Sequence, residues 1–312
     1  MSRIHEALKR AEQERASGAT GGPGENTPVL DASAAAVAAP AVTLENDGMP
    51  VSPVLSSMTS QFTPDTLLAR CPQANWNPDL KTMLFFGTEE QTYGTEEFRT
   101  LRSRLYQMRE KQQLKKVLVS SALPKEGKSF VAANLAQVMV RQHGRRALLI
   151  DGDLRGARLH SALGTAAVPG LSEYLLGETD EFSIMQRGPM DNLFFIPSGR
   201  VVSSPAELLA NGRMKLLLNR VEPLFDWIIM DSSPAVPVSD AAMLANYCDG
   251  VLLVVRSNAT PHDMARKARE EFKESHLVGV VLNGIEVDSN SYTRYYYGSS
   301  YGNGNARGEA QR

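Results

Sequence analysis

The octapeptide Ala122-Leu-Pro-Lys-Glu-Gly-Lys-Ser129 carries the most specific chemistry in this 312-residue chain. Its spacing is that of a phosphate-binding P-loop, in which backbone N–H groups and a helix N-terminus present positive partial charge to phosphate oxygens. Lys128 is placed to reach the β- and γ-phosphates of a nucleotide, and the Ser129 hydroxyl to bind Mg²⁺. Gly127 permits close backbone approach, so Leu123, Pro124, Lys125, Glu126, Gly127, Lys128, Ser129 and Phe130 form the expected nucleotide-binding stretch. One departure is plain: Ala122 stands where the standard pattern has its first Gly. Three carboxylates end apolar runs. Asp151 and Asp153 close Leu148-Leu-Ile-Asp-Gly-Asp153, and Asp231 closes Trp227-Ile-Ile-Met-Asp231. Strand-end Asp residues commonly cap turns or helices. Two such strands beside a P-loop instead predict convergence near the phosphates, with Asp231 holding Mg²⁺ directly or through water.

The elements that must position these residues can be read from hydrophobic pattern. Short continuous apolar runs fall at 116–121, 147–151, 193–197, 227–231, 251–256 and 278–283. Helix-like stretches at 131–142, 206–220, 239–246 and 261–274 separate most of them. Buried strands alternating with helices predict an α/β fold, a doubly wound and mostly parallel sheet of P-loop NTPase type with helices on both faces. The ligand crevice of such a sheet lies outside the carboxyl ends of its strands. Ahead of the first strand, 95–110 reads as an amphipathic helix with Phe98, Leu101, Leu105 and Met108 on one face.

The two ends differ from this middle. Ser2 to Ala16 predicts a short amphipathic helix, with Ile4, Ala7, Leu8 and Ala11 on one side. Residues 17–61 are dominated by small and polar types, and no aromatic residue precedes Phe62, so they are expected to form a disordered linker. Residues 62–288 form the expected catalytic domain. Residues 289–312 read as a flexible tail in which Tyr292, Tyr295, Tyr296, Tyr297 and Tyr301 gather five of the chain's 9 tyrosines. Lys plus Arg number 33 against 35 Asp plus Glu, which argues against a general nucleic-acid-binding surface. The 2 cysteines, Cys71 and Cys248, have no metal-ligand spacing. No window reaches the ~20 apolar residues of a membrane span.

Taken together, the P-loop of the form A-x-P-x-E-G-K-S, the second motif Leu148–Arg155 and the short Trp227–Pro234 run resemble the bacterial tyrosine kinases (BY-kinases) of capsule and exopolysaccharide loci. Glu96, Arg99 and Arg102 match that family's E-x-x-R-x-x-R oligomerisation motif, and the tyrosine cluster matches its autophosphorylation tail. The opening Ser2–Glu12 resembles cytoplasmic autokinases of exosortase-linked loci. The resemblance implies ATP and Mg²⁺ as cofactors. It gives Asp151 the task of orienting and deprotonating the acceptor tyrosine, and Lys128 that of offsetting charge on the transferred phosphoryl group. Asp153 and Asp231, with Ser129, would position the metal. Asn283 resembles the Asn that reads the adenine edge in related P-loop ATPases, although a turn residue before Gly284 would look the same. Arg155 could add positive charge at the phosphates or lie on the surface.

The family implies a head-to-tail ring in which each tail reaches a neighbour's site. It also implies a membrane chain-length regulator (a polysaccharide co-polymerase) as partner, and a phosphatase that resets the tail. With no span of its own, the chain is expected in the cytoplasm, recruited to the inner face of the plasma membrane through that partner. Two other readings remain open. A partition or site-selection ATPase would use the same sheet, but its signature Lys early in the P-loop is Leu123 here. A catalytically weak assembly subunit would bind nucleotide without transferring phosphate.

Overall fold

The computed structural model describes residues 63–87 and 94–285. The predicted N-terminal helix, the linker and all five tail tyrosines lie outside the described residues. The apolar runs become strands β1 (Lys116–Ser121), β2 (Ala147–Asp151), β4 (Leu193–Ile196), β5 (Trp227–Asp231), β6 (Gly250–Arg256) and β7 (Leu277–Asn283). A two-residue β3 (Gln186–Arg187) pairs antiparallel with β4; every other pairing is parallel. The order across the sheet is β3-β4-β2-β5-β1-β6-β7. The fold is therefore a doubly wound, mostly parallel α/β sheet.

Alternation within each strand builds two cores. Leu118, Leu148, Ile150, Phe194, Ile228, Met230 and Leu253 point to one face. Helices α1 (Pro64–Arg70), α5 (Leu171–Leu176), α6 (Pro205–Ala210), α7 (Arg213–Val221), α8 (Asp240–Ala245) and α9 (His262–Glu271) cover that side. Val117, Val119, Leu149, Phe195, Ile229 and Val254 point to the other. There they meet α2 (Thr95–Arg109), α3 (Lys128–Val140) and α4 (Leu159–Leu163). Every residue of β1, β2, β4 and β5 is buried, as continuous apolar runs require when both faces are covered.

The predicted helix 206–220 is two helices. Gly212 adopts a left-handed φ of 80° and ends the first run with Asn211 as its C-cap. Helix α3 starts three residues earlier than predicted, at Lys128, because the P-loop turn itself becomes its first turn. Its residues Val131 to Val140 are all buried, including two polar side chains. Asn134 accepts the Leu84 N–H at 2.8 Å and donates to Thr82 O at 2.8 Å, and Gln137 accepts the Phe85 N–H at 3.2 Å. These amides pin the 82–87 strap over α3, so the helix that carries the P-loop is held from both sides.

Candidate active site

The P-loop crosses from β1 to α3 with two left-handed residues, Lys125 (φ 66°) and Gly127 (φ 96°). Ala122 is not among the positive-φ residues, so the missing first Gly needs no special backbone and Ala fits there, fully buried. Gly127 is different: a Cβ there would stand 2.0 Å from Asn283 Nδ2. Its role is thus close approach as well as conformation.

The predicted carboxylates converge. Asp151 and Asp231 are register partners at the adjoining ends of β2 and β5. Lys128 Nζ donates to Asp153 Oδ2 at 2.9 Å, and Ser129 Oγ donates to Asp231 Oδ2 at 2.5 Å. Three carboxylates thus act on one partly buried ammonium, and the charge balance sets the proton affinities. Burial works against the Lys128 ammonium, but Asp231, Asp153 and Asp151 outweigh it and raise its pKa. Burial first, then the repulsion of Asp231 and Asp153, pushes Asp151 up to about 8. Burial also raises Asp231, to about 6, against the pull of Lys128 and the Ser129 hydrogen bond.

Asp151 is fully buried, and its two oxygens accept the Asp153 and Leu159 N–H groups, each at 3.3 Å. Asp153 Oδ1 accepts the N–H groups of Arg155 and Gly156, which closes the turn after β2. Arg155 reaches away from this cluster: its guanidinium grips the buried Asp240 with Nε at 2.6 Å and Nη2 at 3.1 Å. Sequence reasoning missed Asp240, which no motif marks. Asn283 lies beside the P-loop, where its amide donates to Glu126 O at 2.9 Å. The Phe130 side chain turns from the phosphate side and packs edge-on against Phe98. Of the three α2 residues, Arg99 pairs with Glu96 on the same helix, while Arg102 donates to Val138 O at 2.9 Å near the end of α3.

The donors present fit a magnesium nucleotide. Asp231 Oδ1 is buried without a hydrogen-bond partner and sits on the carboxylate that holds Ser129 Oγ. A hydroxyl and a carboxylate are hard oxygen donors of the kind Mg²⁺ takes, with water and phosphate supplying the rest. Among the described residues no three His, Cys, Asp or Glu side chains are grouped to hold a metal by themselves. A cavity of about 450 Å³ at Tyr174, Glu178 and Arg213 includes none of the predicted site residues.

Fold and site define a P-loop domain of the phosphate-transfer class. No model of a protein family matches the chain. Individual proteins do. The chain is 36% identical over 211 residues to the tyrosine-protein kinase YwqD of Bacillus subtilis, covering 67% of this chain and 89% of that one. It is 32% identical over 177 residues to the tyrosine-protein kinase CpsD of Streptococcus agalactiae serotype III, covering 56% and 76%. It spans 24% of a longer Ralstonia solanacearum relative at 37% identity. Among solved structures, the kinase domain of the Escherichia coli tyrosine kinase ETK matches with a TM-score of 0.59 at 27% identity, over 69% of this chain and 80% of that one. The chimerical protein CapA2B2 matches with a TM-score of 0.63 at 25% identity, over 72% and 98%. The chain belongs to the bacterial tyrosine-protein kinase family.

Proposed function

We propose that this chain is an ATP-dependent protein-tyrosine autokinase that phosphorylates the tyrosine cluster Tyr292–Tyr301 of a neighbouring copy and so regulates exopolysaccharide chain length and export. The observation that carries the reading is the buried set of Lys128, Asp151, Asp153 and Asp231 at the carboxyl ends of β2 and β5, beside the P-loop. Mg-ATP bound there would supply the transferable phosphoryl group. Asp151 is the proton acceptor once the proton that it holds in the free chain has left, a loss that the positive charge of Mg²⁺ bound at Asp153 and Asp231 would favour. A phenol with a pKa of about 10 gives its proton more readily to a carboxylate held well above the ordinary range than to an exposed one. Because Asp151 is buried under the 152–158 turn, an acceptor hydroxyl reaches it when that turn opens. Lys128, now on Asp153, is the cation placed to move to a developing negative charge. Ser129, Asp153 and Asp231 would hold the metal.

The partners follow from the same reading. Glu96, Arg99 and Arg102 on α2 would contribute to a ring of copies that delivers each tail to the next site. A membrane chain-length regulator would recruit the chain to the inner face of the plasma membrane, and a tyrosine phosphatase would reset it. Among the described residues no helix is long and apolar enough to cross a membrane.

Incubation of the full chain with labelled ATP and Mg²⁺ tests the proposal. Label on the tail that disappears in Lys128→Met, and in a chain with the five tail tyrosines changed to Phe, supports it. Phosphate release without labelled protein would instead indicate an ATPase, and neither activity an assembly subunit.

A further inference from the structure

Glu126 lies inside the P-loop, yet its side chain turns from the phosphate side and ties the loop together. It is almost fully buried, and both carboxylate oxygens are used. Oε2 accepts the Leu123 N–H at 2.7 Å, and Oε1 accepts the hydroxyl of Thr260. Thr260 belongs to the turn between β6 and α9, 134 positions along the chain. The same hydroxyl accepts the Arg256 N–H at 3.0 Å, so its own proton is committed to Glu126. Two more bonds anchor the loop: Arg256 Nη1, at the end of β6, donates to Lys125 O at 3.1 Å, and Asn283, at the end of β7, donates to Glu126 O.

The need for such a tie is local. Lys125 is a non-glycine residue in the left-handed region, a strained conformation that persists only where the surroundings hold it. The chemistry also selects a carboxylate. Glu126 faces two donors, an N–H and an O–H, and an acceptor-only group satisfies both. A glutamine would turn its NH₂ toward one of them. Among the described residues Glu126 forms no ion pair; hydrogen bonds hold its side chain beside the N-terminus of α3.

We propose that Glu126 is a positioning residue: through Thr260 it fixes the P-loop in its phosphate-cradling shape before any nucleotide arrives. The identity of the ligand rests on the kinase reading; the tie itself does not. Preorganisation of this kind raises affinity by removing the ordering cost from the binding step.

Hydrogen exchange on the free full-length chain reads the tie directly. In Thr260→Val and in Glu126→Gln, exchange across residues 122–128 should speed up about tenfold, the loss of roughly one hydrogen bond. Thr260→Ser, which keeps the hydroxyl, should restore the wild-type rate and guards against a simple folding defect. Calorimetric titration with Mg-ADP should show a matching loss of affinity, and the double variant should be no worse than Glu126→Gln alone. Unchanged exchange in Thr260→Val, or additive losses in the double variant, overturns the proposal. Faster exchange in Thr260→Val together with a wild-type chain that binds no Mg-ADP upholds the tie and overturns the nucleotide reading.

Discussion

Asp151→Asn exchanges a fully buried carboxylate of the site for a neutral group of the same shape. In the free chain Asp151 is pushed from 3.8 to about 8, by burial and then by Asp231 and Asp153. The folded state therefore keeps this proton over a range where the unfolded chain has released it. Stability must fall as pH rises through that window, the reverse of a salt-bridged carboxylate. At about 1.36 kcal/mol per pK unit, the linkage removes on the order of 4 kcal/mol from the wild-type chain between pH 5 and pH 8.5. The Asn variant lacks this slope. Its single acceptor oxygen faces two donors, the Asp153 and Leu159 N–H groups, for an offset of about 1 kcal/mol that does not change with pH. Urea unfolding of both chains at a series of pH values, in EDTA and without nucleotide, measures the difference; contributions from groups remote from Asp151 cancel in it, whereas Asp231 and Lys128, which feel its charge, add a smaller term of their own. The stability advantage of Asp151→Asn should grow by about 4 kcal/mol across the range, while phosphotransfer falls by ~10²-fold or more. A difference flat to within about 1 kcal/mol would refute the reasoning, because it would mean the buried Asp151 is charged in the free chain at neutral pH.

Three further outcomes are expected. Gly127→Ala places a Cβ 2.0 Å from Asn283 Nδ2 at a left-handed backbone position. It should cost about 1–3 kcal/mol in thermal unfolding and abolish Mg-ADP binding by calorimetry. Asp240→Asn removes the charge that Arg155 grips and should destabilise the chain by about 1–3 kcal/mol, with faster proteolysis at the turn after β2. Arg99→Ala loses an exposed pair with Glu96, worth less than about 0.5 kcal/mol, so its melting point should hold. If α2 forms a ring contact, its mass by light scattering should nevertheless drop; Arg102→Ala is the less clean probe, since it also loses the bond to Val138 O.

The sheet was legible because most of its strands are short apolar runs, two of them ending in carboxylates, and such runs leave few alternative folds. The cluster at Lys128, Asp151, Asp153 and Asp231 was legible for the same reason: a parallel sheet brings strand ends to one edge whatever the loops do. What escaped prediction depends on contacts between distant segments. Nothing in the sequence marks Asp240 as the partner of Arg155, or Thr260 as the partner of Glu126. Asn134 and Gln137 look like ordinary polar helix residues, yet both are buried under the 82–87 strap. The one helix read over 206–220 failed on a local signal that was available, since Asn211-Gly212 is a good helix stop followed by a fresh start.

The burial of α3 has a consequence for reading variation in this protein. Ten consecutive residues, Val131 to Val140, present no side chain to solvent, and two of them anchor a strap through amides that no isostere fully replaces. A saturation mutagenesis library scored on activity would find this stretch as intolerant as the P-loop that precedes it. Yet apart from its first turn the helix touches nothing that reacts. Intolerance to substitution there would measure packing, and a score of folded abundance taken alongside activity would separate those positions from Lys128 and Asp151, where the chain still folds when the chemistry stops.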